Sequence, residues 1–197
     1  MSLRAVNRVA FCRILKAVAI TRPDPAYAVT DSRYCARFLA PAELAAFSRD
    51  AWADLPPELL AQYLERGDEC FGILHGDVLA SYGWYSRAPD CIRPEVLLHF
   101  DPRSVYMHRG FTHPDYRGQR LHAIGMTLAL QAYRDRGFQG LVSHVEATNR
   151  DSLKSVYRMG YQDCGTLYVV GVRGRHLVHV SAGARAWGFR LEVRRPG

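Results

Sequence analysis

The sequence predicts a single α/β domain, and three observations predict it. Its 197 residues are enough for one well-packed domain and too few for two ordinary ones. Apolar runs of strand length and stretches of helical period follow one another along the whole chain. The composition is globular, 48% hydrophobic and 23% charged, without internal repeat, low-complexity segment or linker.

The elements follow in order. Residues 8–20 are β-branched and apolar enough for a strand, with a short helix as the alternative, and Pro23 and Pro25 then break the chain. Residues 34–39 read as a second strand ended by Pro41. Residues 42–47 and 57–64 read as helices, with Pro41 and Pro57 in the first turn, where proline loses no helix bond. The apolar runs 70–75 and 78–85 are joined by Gly76-Asp77, a hairpin signal. Residues 91–104, with Pro94 and Pro102, are loop-like. A strand at 105–112 stops at Pro114.

From Gly118 the period changes: Leu121, Ile124, Leu128 and Ala132 share one face of a helix that runs to about Arg136 and ends at Gly137. A short strand at 141–145 and a helix at 152–159 follow, the latter before Gly160, a good C-cap. Residues 166–172 and 176–180 flank the turn Arg173-Gly174-Arg175. Trp187, Phe189, Leu191 and Val193 alternate as a half-buried strand.

The net charge is +7, so an anionic ligand fits the chain, but the charge is uneven. Segment 41–69 carries Glu43, Asp50, Asp54, Glu58, Glu65, Asp68 and Glu69 against Arg49 and Arg66, whereas residues 103–197 carry 15 basic and six acidic side chains. Two differently charged surfaces are expected rather than the uniform basic coat of a nonspecific nucleic-acid binder. The five cysteines (Cys12, Cys35, Cys70, Cys91, Cys164) are odd in number and form no C-x-x-C pair, which argues against a disulfide scaffold or zinc ribbon and for a reducing cytosol. Arg8, Arg13 and Lys16 interrupt any signal-type core, and no apolar stretch nears the ~18 residues of a membrane span. A soluble, cytoplasmic domain is expected.

The chemistry concentrates in Phe111-Thr112-His113-Pro114-Asp115-Tyr116-Arg117-Gly118-Gln119-Arg120. A strand stops at a proline, and a glycine-containing loop then opens a long helix. The first-turn N–H groups of a helix lack internal acceptors and its dipole favours anions, so this junction suits phosphate; Arg117 adds a cation whose fork fits phosphate oxygens. An ordinary strand–loop–helix junction with a solvated arginine is the plain alternative.

Here the chain resembles the GCN5-related N-acetyltransferase (GNAT) superfamily. The approach His113-Pro114-Asp115-Tyr116-Arg117-Gly118 matches that family's motif, with Arg117 on its Arg/Gln position. A second match, Asn149-Arg150-Asp151-Ser152 and then Gly160-Tyr161, is similar to the family's Asn-x-x-Ala/Ser followed by Gly-Phe/Tyr. The specific resemblance covers about 105–161. It implies a GNAT-like fold over the chain: a central mixed, mostly antiparallel twisted sheet flanked by helices, with splayed central strands. It also implies acetyl-CoA or another acyl-CoA as co-substrate, with no metal. The pyrophosphate would rest on the amides of Arg117, Gly118, Gln119, Arg120, Leu121 and His122. The pantetheine arm would run beside Gly110, Phe111 and Thr112, near Asn149 and Ser152, and an amine would attack the thioester directly.

Two departures stand out. Where the family has Gly and Gly/Ala, this chain has Arg120 and His122; both residues can take the right-handed helical conformation, so the expected loss is space. Where many members place a tyrosine acid, this chain has Val156, and Tyr157 follows one residue later; core packing is the preferred reading of Tyr157, with a general acid as the alternative. For the base, His108 is placed on the central strand, on one face with Tyr106 and Gly110, and resembles a histidine of arylalkylamine acetyltransferases. Glu146 is the second candidate and His144 the third. The acidic segment with Trp52 and Tyr63, beside Trp84 and Tyr85, would suit a cationic amine, although a solvated helix face reads equally well. His176 and His179 lie in a strand-like run without a carboxylate partner, a poor metal site. Arg190, Arg194 and Arg195 lack a nucleic-acid motif. The reading is an acyl-CoA-dependent acyltransferase for a small-molecule or peptide amine, monomeric or homodimeric, with neither nucleic acid nor membrane as partner.

Overall fold

The computed structural model describes residues 10–29 and 31–194; residues 8 and 9 of the expected first strand, and Arg195, lie outside them. The chain divides into two compact units. A central unit takes Thr21–Ala88 and Arg103–Leu141, and a terminal unit takes the described residues up to Ile20, Pro89–Pro102 and those from Val142 on.

The central unit holds strands β2 (Tyr34–Phe38), β3 (Glu69–His75), β4 (Val78–Ser86) and β7 (Ser104–Thr112) in the order β7-β4-β3-β2. Each neighbouring pair is antiparallel. Helices α1 (Pro41–Phe47) and α2 (Pro57–Glu65) begin on the prolines expected to start them. They cover one face of the sheet, over a core that includes Leu44, Leu60, Cys70, Leu79, Tyr82 and Trp84. Helix α3 (Leu121–Asp135) packs with Ile73 and Ala80.

The buried side chains of α3 are Leu121, Ala123, Met126, Thr127, Ala129, Leu130 and Tyr133. Of the stripe expected from the sequence, only Leu121 is fully buried. The helix is apolar around most of its girth, so periodicity alone does not select the face that meets the sheet. It also starts three residues after Gly118, because Pro114–Tyr116 forms a separate 3-10 turn.

The terminal unit holds β1 (Ala10–Ile20), β8 (Gly140–Glu146) from Val142 on, β9 (Gln162–Val172) and β10 (Arg175–Val180), in the order β10-β9-β1-β8. Strand β9 runs antiparallel to both β1 and β10. Helix α4 (Arg150–Arg158) follows β8. Residues 91–104 are not merely loop. They contain β5 (Asp90–Arg93) and β6 (Val96–His99), which join β11 (Arg190–Val193) in a second antiparallel sheet. Four-residue strands either side of Pro94 are too short to show a period. The expected final strand is shorter than its alternation: Trp187 caps the short helix α5 (Ala182–Ala186), and Phe189 is fully buried before β11 begins.

Candidate active site

In the central unit, β7 ends at Thr112 and the 113–120 loop leads into α3. His113 closes the turn by accepting a hydrogen bond from the Asp115 amide (3.2 Å). The loop is pinned from outside: Tyr34 donates to Gln119 (2.6 Å), Tyr116 meets His75 (2.9 Å), and Trp52 packs edge-on against His113. Arg117, Gly118, Gln119 and Arg120 are exposed. Helix geometry leaves the amides of Leu121, His122 and Ala123 without an acceptor inside α3. The Leu121 side chain is core, so only its backbone is available to a ligand.

Arg120 corrects one expectation. It is left-handed (φ 60°, ψ 16°) and caps α3, rather than adopting a right-handed turn. The family's glycine suits that conformation; this chain holds an arginine in it, at a cost of about 1 kcal/mol. His122 departs in another way. It lies within the helix, and its imidazole fills the place a Cβ would take on Gly110, 2.2 Å from that position. Gly110 is thus the space that admits His122. Burial pushes the His122 imidazole below its ordinary pKa, so it is neutral near pH 7.

A β-bulge reorganises β7. Trp84 faces Arg109 and Tyr85 faces Met107, so His108 is the extra residue. Its side chain therefore does not share a face with Gly110. Gly110 meets His122, whereas His108 packs on Tyr63 of α2 and stacks with Tyr106. Beyond it, Phe111 stacks on Tyr82 and the Thr112 hydroxyl meets Ser81 (3.1 Å).

Around His108 the chain builds a buried polar cluster. Helix α2 ends with left-handed Gly67 (φ 78°), its amide bonded to the Leu64 carbonyl and the Asp68 amide to Tyr63. This is the two-bond glycine stop of a helix, and it fixes Tyr63, Arg66 and Asp68 together. Asp68 Oδ2 lies 3.0 Å from His108 Nε2, with the two side chains 0% and 6% exposed. Arg66 reaches the same carboxylate (2.5 Å) and comes within 3.1 Å of His108 Nε2. Burial pushes the Asp68 carboxyl up, but bonds from His108 and Arg66 outweigh it and hold it below its ordinary value. Asp68 and Arg66 were visible in the sequence only as members of an acidic segment. Nothing local couples them to a strand residue about 40 positions away.

Four of the seven acidic side chains of the segment are paired: Glu43 with Arg37, Asp54 with Arg109, Asp68 with Arg66 and Glu69 with Arg136, while Asp50, Glu58 and Glu65 are exposed. Trp84 and Tyr85 are core residues, at most 2% exposed, and do not line an acceptor surface.

The remaining candidates lie in the terminal unit. Glu146 is held by both the Nε (2.6 Å) and Nη2 (2.5 Å) of Arg13, which also donates to the Ile92 carbonyl. His144 is half-buried nearby, and its partial withdrawal from water pushes its pKa down. Asn149 caps α4 by accepting from the Ser152 amide (3.1 Å), which gives both residues a local structural role. Tyr157 is no core residue: it is 40% exposed, with its hydroxyl 3.4 Å from Asp163, which also pairs with Lys16. His176 does have a carboxylate neighbour, Glu95 at 3.7 Å, but His179 packs instead on Tyr168.

The sequence profile of the acetyltransferase (GNAT) family matches residues 37–161. A putative acetyltransferase of that family from Novosphingobium aromaticivorans superposes with a TM-score of 0.53 at 16% identity, covering 87% of this chain and 66% of its own. A GCN5-related N-acetyltransferase-like protein from Streptococcus suis gives 0.56 at 15% identity, covering 86% and 65%. A GCN5-related N-acetyltransferase from Sphaerobacter thermophilus gives 0.54 at 15%, covering 90% and 55%. The chain thus spans between about half and two thirds of these structures, and at such identities the likeness is one of fold. No curated protein matches it.

Proposed function

Because the chain belongs to the acetyltransferase (GNAT) family, we propose that it transfers an acetyl or similar acyl group from acyl-coenzyme A to an amine, with His108 as the general base. The observation that carries this reading is the loop from β7 into α3. It offers first-turn amides, an open Gly118 and the exposed cations Arg117 and Arg120 in one place, a donor set that fits a pyrophosphate. When bound, acyl-coenzyme A would supply an activated acyl group and a thiolate that leaves readily.

The chain's own residues do the rest. Loop amides and Arg117 hold the phosphates, and positioning supplies much of the rate. His108 takes the proton that the acceptor nitrogen sheds as its bond to the acyl carbon forms and the carbon–sulfur bond breaks. A buried imidazole with a fixed carboxylate beside it is well suited to that proton. Glu146 is a poorer base, because its carboxylate is already matched by Arg13. The five cysteines are all free, which fits a reducing cytoplasm. No helix among the described residues is long and apolar enough to cross a membrane.

The test pairs binding with turnover. Acetyl-CoA should raise the melting temperature, and thiol release should appear with at least one of an arylalkylamine, a polyamine, an amino sugar or an amino acid. Binding without thiol release would favour a family member that has lost turnover, a reading motivated by Val156, Arg120 and His122. No thermal shift at millimolar acetyl-CoA would overturn both.

A further inference from the structure

We propose that Asp68 holds His108 in the tautomer that carries its proton on Nε2, so that Nδ1 is the basic atom presented to the acceptor. This deepens the reading of His108 as base and rests on it.

The geometry puts a proton on Nε2. His108 Nε2 and Asp68 Oδ2 are 3.0 Å apart, and both side chains are almost wholly withdrawn from water. A carboxylate oxygen only accepts. Were Nε2 unprotonated, two lone pairs would face each other at that distance, in surroundings where an unmade bond is costly. Arg66 does not reverse the choice. Although its Nη2 is 3.1 Å from Nε2, it is 2.5 Å from Oδ2, and Nε of Arg66 contacts both oxygens of the same carboxylate (3.0 and 2.9 Å). The arginine donates to Asp68, and His108 Nε2 donates beside it. The ring is further fixed by Tyr63, edge-on at 4.7 Å between centroids, and by Tyr106, stacked at 6.5 Å.

The arrangement gives Asp68 an effect that a core carboxylate would lack: it selects which nitrogen of His108 keeps its lone pair. The ionisable groups around the ring are Asp68 just before β3, Arg66 and Tyr63 at the end of α2, and Tyr106 and Arg109 on β7. Of these, only Asp68 brings a carboxylate that can accept from Nε2. Asp68 is a positioning residue here, acting through His108.

Histidine side-chain nitrogen NMR on the full chain, recorded from pH 5 to 9 without ligand, tests this directly. His108 is identified by the resonances missing in His108→Gln. In the native protein His108 should be the Nε2–H tautomer. Asp68→Asn should populate the other tautomer, while Arg66→Gln should leave the Nε2–H tautomer in place. A change of tautomer in the first variant alone is the signature, since a purely structural role would disturb both variants alike. Native His108 protonated on Nδ1, or a native tautomer retained in Asp68→Asn, would overturn the proposal. Should Asp68→Asn fail to fold, the native tautomer and Arg66→Gln decide alone. None of these readouts needs turnover, so an enzyme that released no thiol would overturn the acyltransfer reading while the assignment of the proton stood or fell separately.

Discussion

His108 in the central unit and Glu146 in the terminal unit are both strand residues, both within an ion-pair network, and both chemically able to accept a proton. Their partners separate them. His108 Nε2 meets a carboxylate oxygen of Asp68, which only accepts, whereas Oε1 of Glu146 already receives two donor nitrogens of Arg13. A base needs a free lone pair, and an arginine donating to a carboxylate competes for it. Position on a strand names candidates; the donor or acceptor character of their partners ranks them.

The largest expected effect breaks or keeps that ranking. With acetyl-CoA and the best amine of the panel, His108→Gln should lower kcat/KM by roughly 10²–10⁴-fold, the usual contribution of a general base. Glu146→Gln should leave turnover within about threefold, since it removes a structural ion pair, and should instead lower the melting temperature modestly. The opposite order in a thiol-release assay would transfer the base to β8.

A second expected effect concerns how β7 accommodates α3. Gly110→Ala forces a methyl into the His122 imidazole and should cost about 1–3 kcal/mol in urea unfolding, as overpacking does. His122→Ala in the same chain should recover most of it, giving a coupling that independent sites would not show. Additive losses would mean that the imidazole leaves this position at little cost.

The smallest effect distinguishes buried histidine from buried carboxylate. Burial holds His122 and His144 below their ordinary value of 6.5. Below that pH the unfolded chain takes up protons that the folded chain refuses, so stability should fall as pH drops from about 7 to 5. Asp68 works in a different window. Its carboxyl is held below its ordinary 3.8, so its contribution stays whole above that value and is lost only as pH falls through its folded midpoint. Denaturant midpoints across pH should therefore decline first through the histidines, and His122→Ala should flatten part of that decline. An unchanged slope in this variant would place the effect elsewhere.

Much of the candidate site was legible because its signals are local. Pro114 stops a strand, Gly118 turns the loop, and the helical period resumes within a few residues. The two-bond end of α2 at Gly67 is equally local, yet only its hydrogen bonds reveal it. Other parts were hidden by distance or register. Glu43, Asp54 and Glu69 read as part of one acidic segment, and their pairing with Arg37, Arg109 and Arg136 is set by the fold. Tyr157 shares a helical stripe with Leu153 and yet is exposed, because periodicity names a face without saying whether anything covers it.

The sequence by itself determined the order of the elements apart from β5, β6 and α5, the glycine-containing loop between β7 and α3, and the chemical identity of the candidate base. These follow from propensities, caps and turns that act over a few residues. Only the tertiary structure decided which way His108 faces and what stands beside it. One inserted residue in β7 turns His108 toward Asp68 and leaves Gly110 to His122. Strand register and the pairing of buried charges are non-local: they depend on which strands meet and where a bulge falls, information that no window of the chain contains.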